Sequence, residues 1–285
     1  MFKLKNNSNI KIDFNKEVPY LEFPILKDIP FINHGFSTKL GGVSEGIFSS
    51  MNLAFISAGK EDVKESVIKN YELISKSIGI DPHSIVVSKQ LHNTNIKKVR
   101  LDDMGKGLYR ETDYDNIDGL ITNIPGISLV TIYADCVPIY LIDIKTKAIG
   151  LVHSGWKGTV KYISLVAINK MKQEYGTKPK DIIAVIGPSI CRDCYEISED
   201  VAKEFKESFI DNKYNIKTLI KKQNDKYQCD LWLANKYVLL EAGVSPNNIH
   251  VSNACTSCNS NVFHSHRKTN GQRGSLAAFL SIKET

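Results

Sequence analysis

The stretch YADCVPIYLIDIKTKAIGLVHSGWKGT, Tyr133 to Thr159, decides how the rest of the 285-residue chain is read. It reads as a strand, a tight polar turn at Lys145–Lys147, a second strand and a glycine-bracketed start of a helix. Cys136 lies near the beginning of the first strand and His153 at the end of the second. Pairing about the Lys145–Thr146 turn brings Cys136 and His153 to the same open end of a hairpin. A thiol and an imidazole held there can form a metal site, a nucleophile with its base, or two buried residues. The remainder of the chain has to choose among these.

Composition narrows the class first. An apolar fraction of 42% and a charged fraction of 24% suit a globular protein with a sizeable core. The formal net charge of +6 is mild and its lysines are scattered, which argues against a nucleic-acid tract and tolerates an anionic substrate. The N-terminal MFKLKNNSNIKIDF lacks the apolar core of a signal peptide and alternates like a strand. The most apolar run is interrupted by Asp135, Pro138 and Asp143, so no membrane span is expected. The expectation is a cytoplasmic protein in which the six cysteines stay reduced and serve as ligands or catalysts.

Outward from the opening stretch, residues 1 to about 33 read as short strands punctuated by Pro19, Pro24 and Pro30. HGFSTKLGGVSEG (His34–Gly46) is a loop around Gly41–Gly42, either a turn or a phosphate cradle with Lys39 and Ser37 as donors. Val63, Val67, Tyr71, Ile74 and Ile78 recur at helical spacing and stop at Gly79. SIVVSKQLHNTNIKKV (Ser84–Val99) reads as two strands about a short turn that carries His92. Residues 102–116 read as a polar surface loop, and DGLIT (Asp118–Thr122) resumes the sheet. Beyond His153 a helix is expected with Val160, Ile163, Ala167 and Met171 on one face, and Trp156 either caps a pocket or staples the helix to the sheet. A buried strand ending at Gly187–Pro188 follows, then helices near Glu199–Phe209 and Asp230–Ala242 joined by a Lys-rich stretch, a short strand at Ile249–Ser252 and a closing strand. No repeat or linker divides the chain. The expected fold is a single α/β domain over residues 1–285, a layered mixed β-sheet flanked by helices.

His92, Cys136 and His153 form a set of three well-separated donors, each near a strand end, which suits catalytic zinc with a fourth position left open. A metal-free Cys–His hydrolase needs Cys136 and His153 adjacent in the same way, but gives His92 no obvious part. Cys191, Cys194, Cys255 and Cys258 form two C-x-x-C pairs, a second possible zinc site. The first pair lacks the turn glycine expected of a zinc knuckle, which counts against it. The deaminase signature H-x-E with P-C-x-x-C is absent. Multicopper oxidases call for repeated H-x-H pairs, of which His264–His266 is the one example.

The motifs HGFSTKLGGVS, QLHNTN, DGLIT, ADCVPIYLID, GLVHSGWKGT, IGPSICRDCYEI, DLWLAN and CT…FHSHR…GQRG run nearly the whole length of the chain. Together, in this order, they resemble the laccase-domain or polyphenol oxidase family, also called peptidoglycan editing factor. The resemblance implies a zinc-dependent purine nucleoside phosphorylase acting on adenosine, inosine and S-methyl-5'-thioadenosine, with adenosine deaminase activity. It implies an α/β/α-type layering, and His92, Cys136 and His153 as the metal ligands, with copper as the alternative metal. Lys39 and Lys157 stand where many members carry arginine, and lysine lacks the planar fork that grips phosphate in two places. His266–Lys268 also departs from the commoner aromatic–Arg–Arg pattern.

On this reading phosphate attacks the anomeric carbon, with Lys39, Lys157 and Arg267 as its candidate holders and Asp135 as an acid–base or supporting group. Catalytic roles are therefore expected for Asp135, Lys157 and Lys39, and substrate or phosphate binding for Lys39, Ser37 and Arg267. The expected partners are a nucleoside and phosphate, with no nucleic acid or membrane, in a monomer or weak homodimer. The alternatives are the metal-free Cys–His hydrolase and a copper-dependent polyphenol oxidase.

Overall fold

The computed structural model describes residues 9–209, 215–223 and 226–284. The opening hairpin forms as its sequence dictates. Val137–Asp143 pairs antiparallel with Ile149–Ser154, in a register that sets Pro138 against His153 and Val137 against Ser154. The turn is closed by Asp143, whose carboxylate accepts the Lys145 and Thr146 N–H groups and the Thr146 hydroxyl, while Lys147 takes a left-handed φ of 56°.

Every residue of Val137–Asp143 is buried, and the two faces of this strand serve different cores. Val137, Ile139 and Leu141 pack with the helices Ile163–Tyr175 and Leu231–Glu241. Tyr140 and Ile142 pack against a second sheet through Phe36, Leu129 and Leu280. A strand apolar on both faces needs a covering layer on each side, and about 2 kcal/mol per buried large aliphatic side chain rewards that arrangement.

The result is two stacked six-stranded mixed sheets with helices outside them. The first sheet runs Lys11–Ile12, Tyr20–Glu22, Ile32–Ser37, Leu276–Ile282, Ser128–Tyr133, Ile85–Val87. The second runs Ile249–Val251, Ile182–Ile186, Val137–Asp143, Ile149–Ser154, Gly119–Thr122, Ile96–Lys98. Helix Lys64–Ile78 covers the outer face of the first sheet through Val67, Tyr71 and Ile74, and ends at left-handed Gly79 as its sequence predicts. The layering is therefore helix, sheet, sheet, helices: the mixed sheets and flanking helices are as expected, but two stacked sheets stand where an α/β/α layering has one.

Four local expectations need correction. Ile85–Val87 and Ile96–Lys98 are not a hairpin: each is the edge strand of a different sheet, paired parallel to Ser128–Tyr133 and Gly119–Thr122 respectively. Residues 88–95 thus cross between the sheets, carrying His92. The helix after His153 is two helices, Trp156–Val160 and Ile163–Tyr175, broken where Tyr162 takes φ 58°. The Lys-rich stretch holds a small sheet, Glu196–Ile197 with Lys226–Cys229 and Ile220–Gln223. The loop at 102–116 is polar but partly buried, because Lys106 is enclosed by Asp103 and Asp113 at 2.9 Å each. Of the strand expected at the N-terminus, residues 1–8 lie outside the described residues.

Candidate metal centre and active site

Asp118 organises this centre. The carboxylate opens the Gly119–Thr122 strand and is fully buried. It accepts N–H bonds from Leu91 (3.1 Å), His92 (3.0 Å) and Asn93 (2.9 Å) on the crossing loop, and contacts His153 Nδ1 at 2.8 Å. Burial pushes this carboxyl up, but His153 and the backbone donors outweigh it and hold it below its ordinary value. Because a carboxylate only accepts, Nδ1 of His153 carries a proton, and Nε2 is the nitrogen left for the site, free to ligate once any proton on it has gone.

The three donors meet. One ligand atom from each of His92, Cys136 and His153 lies within 4.8 Å of the others. Cys136 Sγ is 3.9 Å from His92 Nε2, and the two imidazoles stand edge to face with centroids 4.9 Å apart. His153 is buried, Cys136 is half-buried and His92 is exposed.

Two of the residues that shape the centre have left-handed backbones, His92 at φ 60° and Asp135 at φ 87°. Each costs on the order of 1 kcal/mol or more and persists where surrounding bonds over-determine it. Asp118 does this for His92. Asp135 is held by its own carboxylate, which accepts the Thr256 hydroxyl at 2.6 Å and the Arg267 N–H at 2.7 Å.

Gly155 explains the S-G-W segment. A Cβ placed there would sit 2.9 Å from His92 Cδ2, 3.3 Å from Cys136 Sγ and 3.6 Å from His153 Cε1. Only a residue without a side chain lets the backbone close over all three donors.

The donor set suits zinc on its chemistry. Zn–N and Zn–S bonds of about 2.0 and 2.3 Å put a tetrahedral N···S pair about 3.5 Å apart, close to the separation seen. The carboxylate behind His153 is the usual partner of a metal-binding imidazole. The surroundings also favour the ligating thiolate. Burial pushes the Cys136 thiol up, yet the charges and hydrogen bonds of His153 and His92 bring it down to about 6. Burial pushes His153 down, while Cys136 and Asp118 raise it to about 9.

The centre opens on a cleft of about 1300 Å³, whose walls include Trp156, Tyr195, His266, Arg267 and Arg273. Of the residues nominated from sequence, Asp135, His92, Cys136, His153 and Arg267 line this cleft. Ser37 does not: it is buried in its strand, and its hydroxyl accepts the Ala277 N–H at 2.9 Å. Lys39 lines a separate cavity of about 420 Å³ beside His264. Lys157 is exposed, with its ammonium 5.7 Å from the Trp156 ring centroid, and Trp156 rather than Lys157 faces the cleft. The Arg267 guanidinium is committed to the Cys194 and Glu196 carbonyls at 3.3 and 2.9 Å.

Two residues were passed over in the sequence. In DGLIT Asp118 reads only as the start of a strand; its role follows from burial, since a carboxylate at the mouth of a fully buried strand needs internal donors. Arg273 was visible inside the GQRG motif. It reaches the Gly274 carbonyl and the Ser275 hydroxyl, and its Nε is buried with no hydrogen-bond partner among the described residues.

Comparison with known proteins places this geometry. The model of a family described as multi-copper polyphenol oxidoreductase laccase matches residues 33–283. The chain belongs to that family. Among relatives of this laccase-like chain, a Bacillus subtilis protein named purine nucleoside phosphorylase YlmD is 35% identical over 251 residues, 88% of each chain. A human protein also named purine nucleoside phosphorylase is 31% identical over 258 residues, covering 88% of this chain and 56% of the human one. The crystal structure of YlmD from Geobacillus stearothermophilus superposes with a TM-score of 0.84 at 29% identity, covering 99% of both chains. The resemblance drawn from the motifs is therefore correct. Among the described residues, no helix is long and apolar enough to cross a membrane.

Proposed function

We propose that the chain is a zinc-dependent purine nucleoside phosphorylase that takes adenosine, inosine and S-methyl-5'-thioadenosine and deaminates adenosine as a second reaction. The observation that carries this reading is a three-donor His–Cys–His cluster lying in the wall of a cleft that also holds Arg267 and Arg273. When bound at His92, Cys136 and His153, zinc supplies a Lewis acid able to polarise a purine or phosphate oxygen or nitrogen and to activate water for deamination. The protein's own residues do the rest.

Trp156 and Tyr195 are aromatic side chains in the lining of the cleft, the residue type on which a purine stacks. Arg273, a cleft-lining guanidinium anchored through Nη1 on the Gly274 carbonyl and the Ser275 hydroxyl, is the candidate phosphate holder, and His266 lines the same cleft. Holding phosphate and nucleoside in one walled space converts a bimolecular displacement into an oriented one. Asp135 acts by position: with both carboxylate oxygens engaged, it ties the Cys136 strand end to the loop bearing Arg267. Lys39, Lys157 and Ser37 take no part in this scheme.

The test is to incubate the zinc-loaded protein with adenosine, with and without phosphate, and to separate adenine, ribose 1-phosphate and inosine. Phosphate-dependent adenine release supports the reading. Nucleoside left intact, with amide or ester hydrolysis by metal-free protein, would replace it with the Cys–His hydrolase, for which the low Cys136 thiol is the favouring observation.

A further inference from the structure

The cleft leaves a second cluster unexplained. Cys191, Cys194, Cys255 and Cys258 come from two loops more than sixty residues apart in sequence, yet their four sulfurs all lie within 4.8 Å of one another. Cys194 Sγ is 3.4 Å and Cys191 Sγ 3.9 Å from Cys258 Sγ. A disulfide would need about 2.05 Å. Sulfurs around a tetrahedral zinc with Zn–S of about 2.3 Å sit about 3.8 Å apart. The observed spacing is that of ligands.

The backbone around the sulfurs is built to match. The first C-x-x-C closes as a 3-10 turn at Arg192–Cys194, with the Cys194 and Tyr195 N–H groups both on the Cys191 carbonyl at 3.1 and 3.0 Å. Such a turn needs no left-handed residue, which is why it manages without the glycine that the sequence pattern led one to expect. Cys255 Sγ accepts two backbone N–H bonds, from Cys191 and from Cys258, each 3.3 Å. N–H groups aimed at one sulfur from both loops hold it in place between them. The loops are joined around it by the Thr256 N–H to Ser189 carbonyl bond of 3.1 Å and a bridge between Ser189 and Cys255.

We propose that Cys191, Cys194, Cys255 and Cys258 form a tetrathiolate zinc site, separate from the His–Cys–His centre. Four thiolates in tetrahedral array leave no position for water or substrate, so the site is structural. It clamps the loop after Ile182–Ile186 to the loop before His266–Thr269. Cys194 presents its carbonyl to Arg267, and Tyr195 lies beneath the Arg267 guanidinium, 5.4 Å from ring centroid to carbon. The clamp thereby braces one wall of the cleft. This inference does not depend on the nucleoside reading.

The test counts metal. Full-length protein, purified in reductant and reconstituted with excess zinc, is desalted and its zinc measured against protein. Two equivalents are expected in the wild type. Cys194→Ser with Cys258→Ser should retain one, and Cys136→Ala should retain the other. With cobalt in place of zinc, sulfur-to-metal charge-transfer absorption should stay near that of four thiolates in Cys136→Ala and fall to that of a single thiolate in the double serine variant. If the double variant fails to fold, Cys136→Ala protein carries the test, since its remaining zinc should show four sulfur neighbours by X-ray absorption. The proposal fails if Cys136→Ala protein holds no zinc, if its metal has a nitrogen- or oxygen-rich shell, if it takes iron in preference to zinc, or if a Cys194–Cys258 disulfide is recovered after alkylation at lysis.

Discussion

At the His92–Cys136–His153 cluster each donor comes from a different segment, two of them at the ends of paired strands, and the cluster faces open space. At the four-cysteine cluster the donors come as two short turns, pinned to each other by backbone N–H groups and closed on every side by sulfur. The first carries strain at His92 and Asp135 and a buried carboxylate behind an imidazole. The second, among its described ligands, has none of these. Strain and buried charge are tolerated where a group must be aimed, and a clamp needs only short reach and regular turns. The same thiol chemistry thus serves two purposes through the backbone that presents it.

The contrast can be broken most sharply at Cys136. Cys136→Ala should lower nucleoside phosphorolysis roughly a thousandfold or more, since Lewis-acid stabilisation amounts to several kcal/mol. Its thermal midpoint should hardly move, because the second cluster is intact; calorimetry beside the rate assay checks this. Asp118→Asn comes next. It keeps the shape but can no longer fix His153 by charge, so metal affinity and activity should each fall by roughly ten- to a hundredfold. Competition against a zinc chelator and a kcat measurement test it, and unchanged affinity would mean that Asp118 serves the crossing loop alone.

Arg273→Gln should act on phosphate, raising its KM about tenfold with a smaller change in kcat, because a charge-assisted contact to the ground-state anion is lost. A phosphate titration at saturating nucleoside decides. The smallest effect on either cluster is expected from His34, which lies apart from both. Burial pulls its pKa from 6.5 down to about 4, and Nε2 accepts the Phe23 N–H at 2.9 Å. The folded protein thus favours the neutral ring. That stability is complete above pH 6.5 and is lost as pH falls toward 4, by at most about 3 kcal/mol. His34→Gln should flatten this part of an acid-unfolding curve, which separates global loosening from metal release.

Much of the site was legible because its signals are local. The Lys145–Thr146 turn between two apolar runs fixed the hairpin and, through its register, the neighbourhood of Cys136 and His153. His92 was legible as a donor but not in its setting, since strands 85–87 and 96–98 look like a hairpin until their partners are known. Which edge a short strand takes is decided by tertiary pairing that no local pattern records. The glycine pair Gly41–Gly42 makes Lys39 and Ser37 look like phosphate donors. Gly42 in fact serves close packing: a Cβ there would lie 2.2 Å from the Ser50 carbonyl oxygen. The four-cysteine cluster was written in the sequence as spacing, while its assembly depends on two loops meeting beside Ile182–Ile186 and Ile249–Val251, which pair in parallel.

The strand Leu276–Ile282 lies in the interior of the first sheet, between Ile32–Ser37 and Ser128–Tyr133. During vectorial synthesis its slot stays vacant until after Cys255, Cys258, Arg267 and Arg273 have been made. A ribosome-bound chain up to residue 250 has both histidine donors and Cys136 but exposes two unpaired strand edges, a hazard for self-association. Closure of the sheet, arrival of the last two cysteines and completion of the cleft wall are therefore late and nearly simultaneous events. A nascent chain stalled before residue 276 should consequently bind chaperones, and one released beyond residue 282 should not.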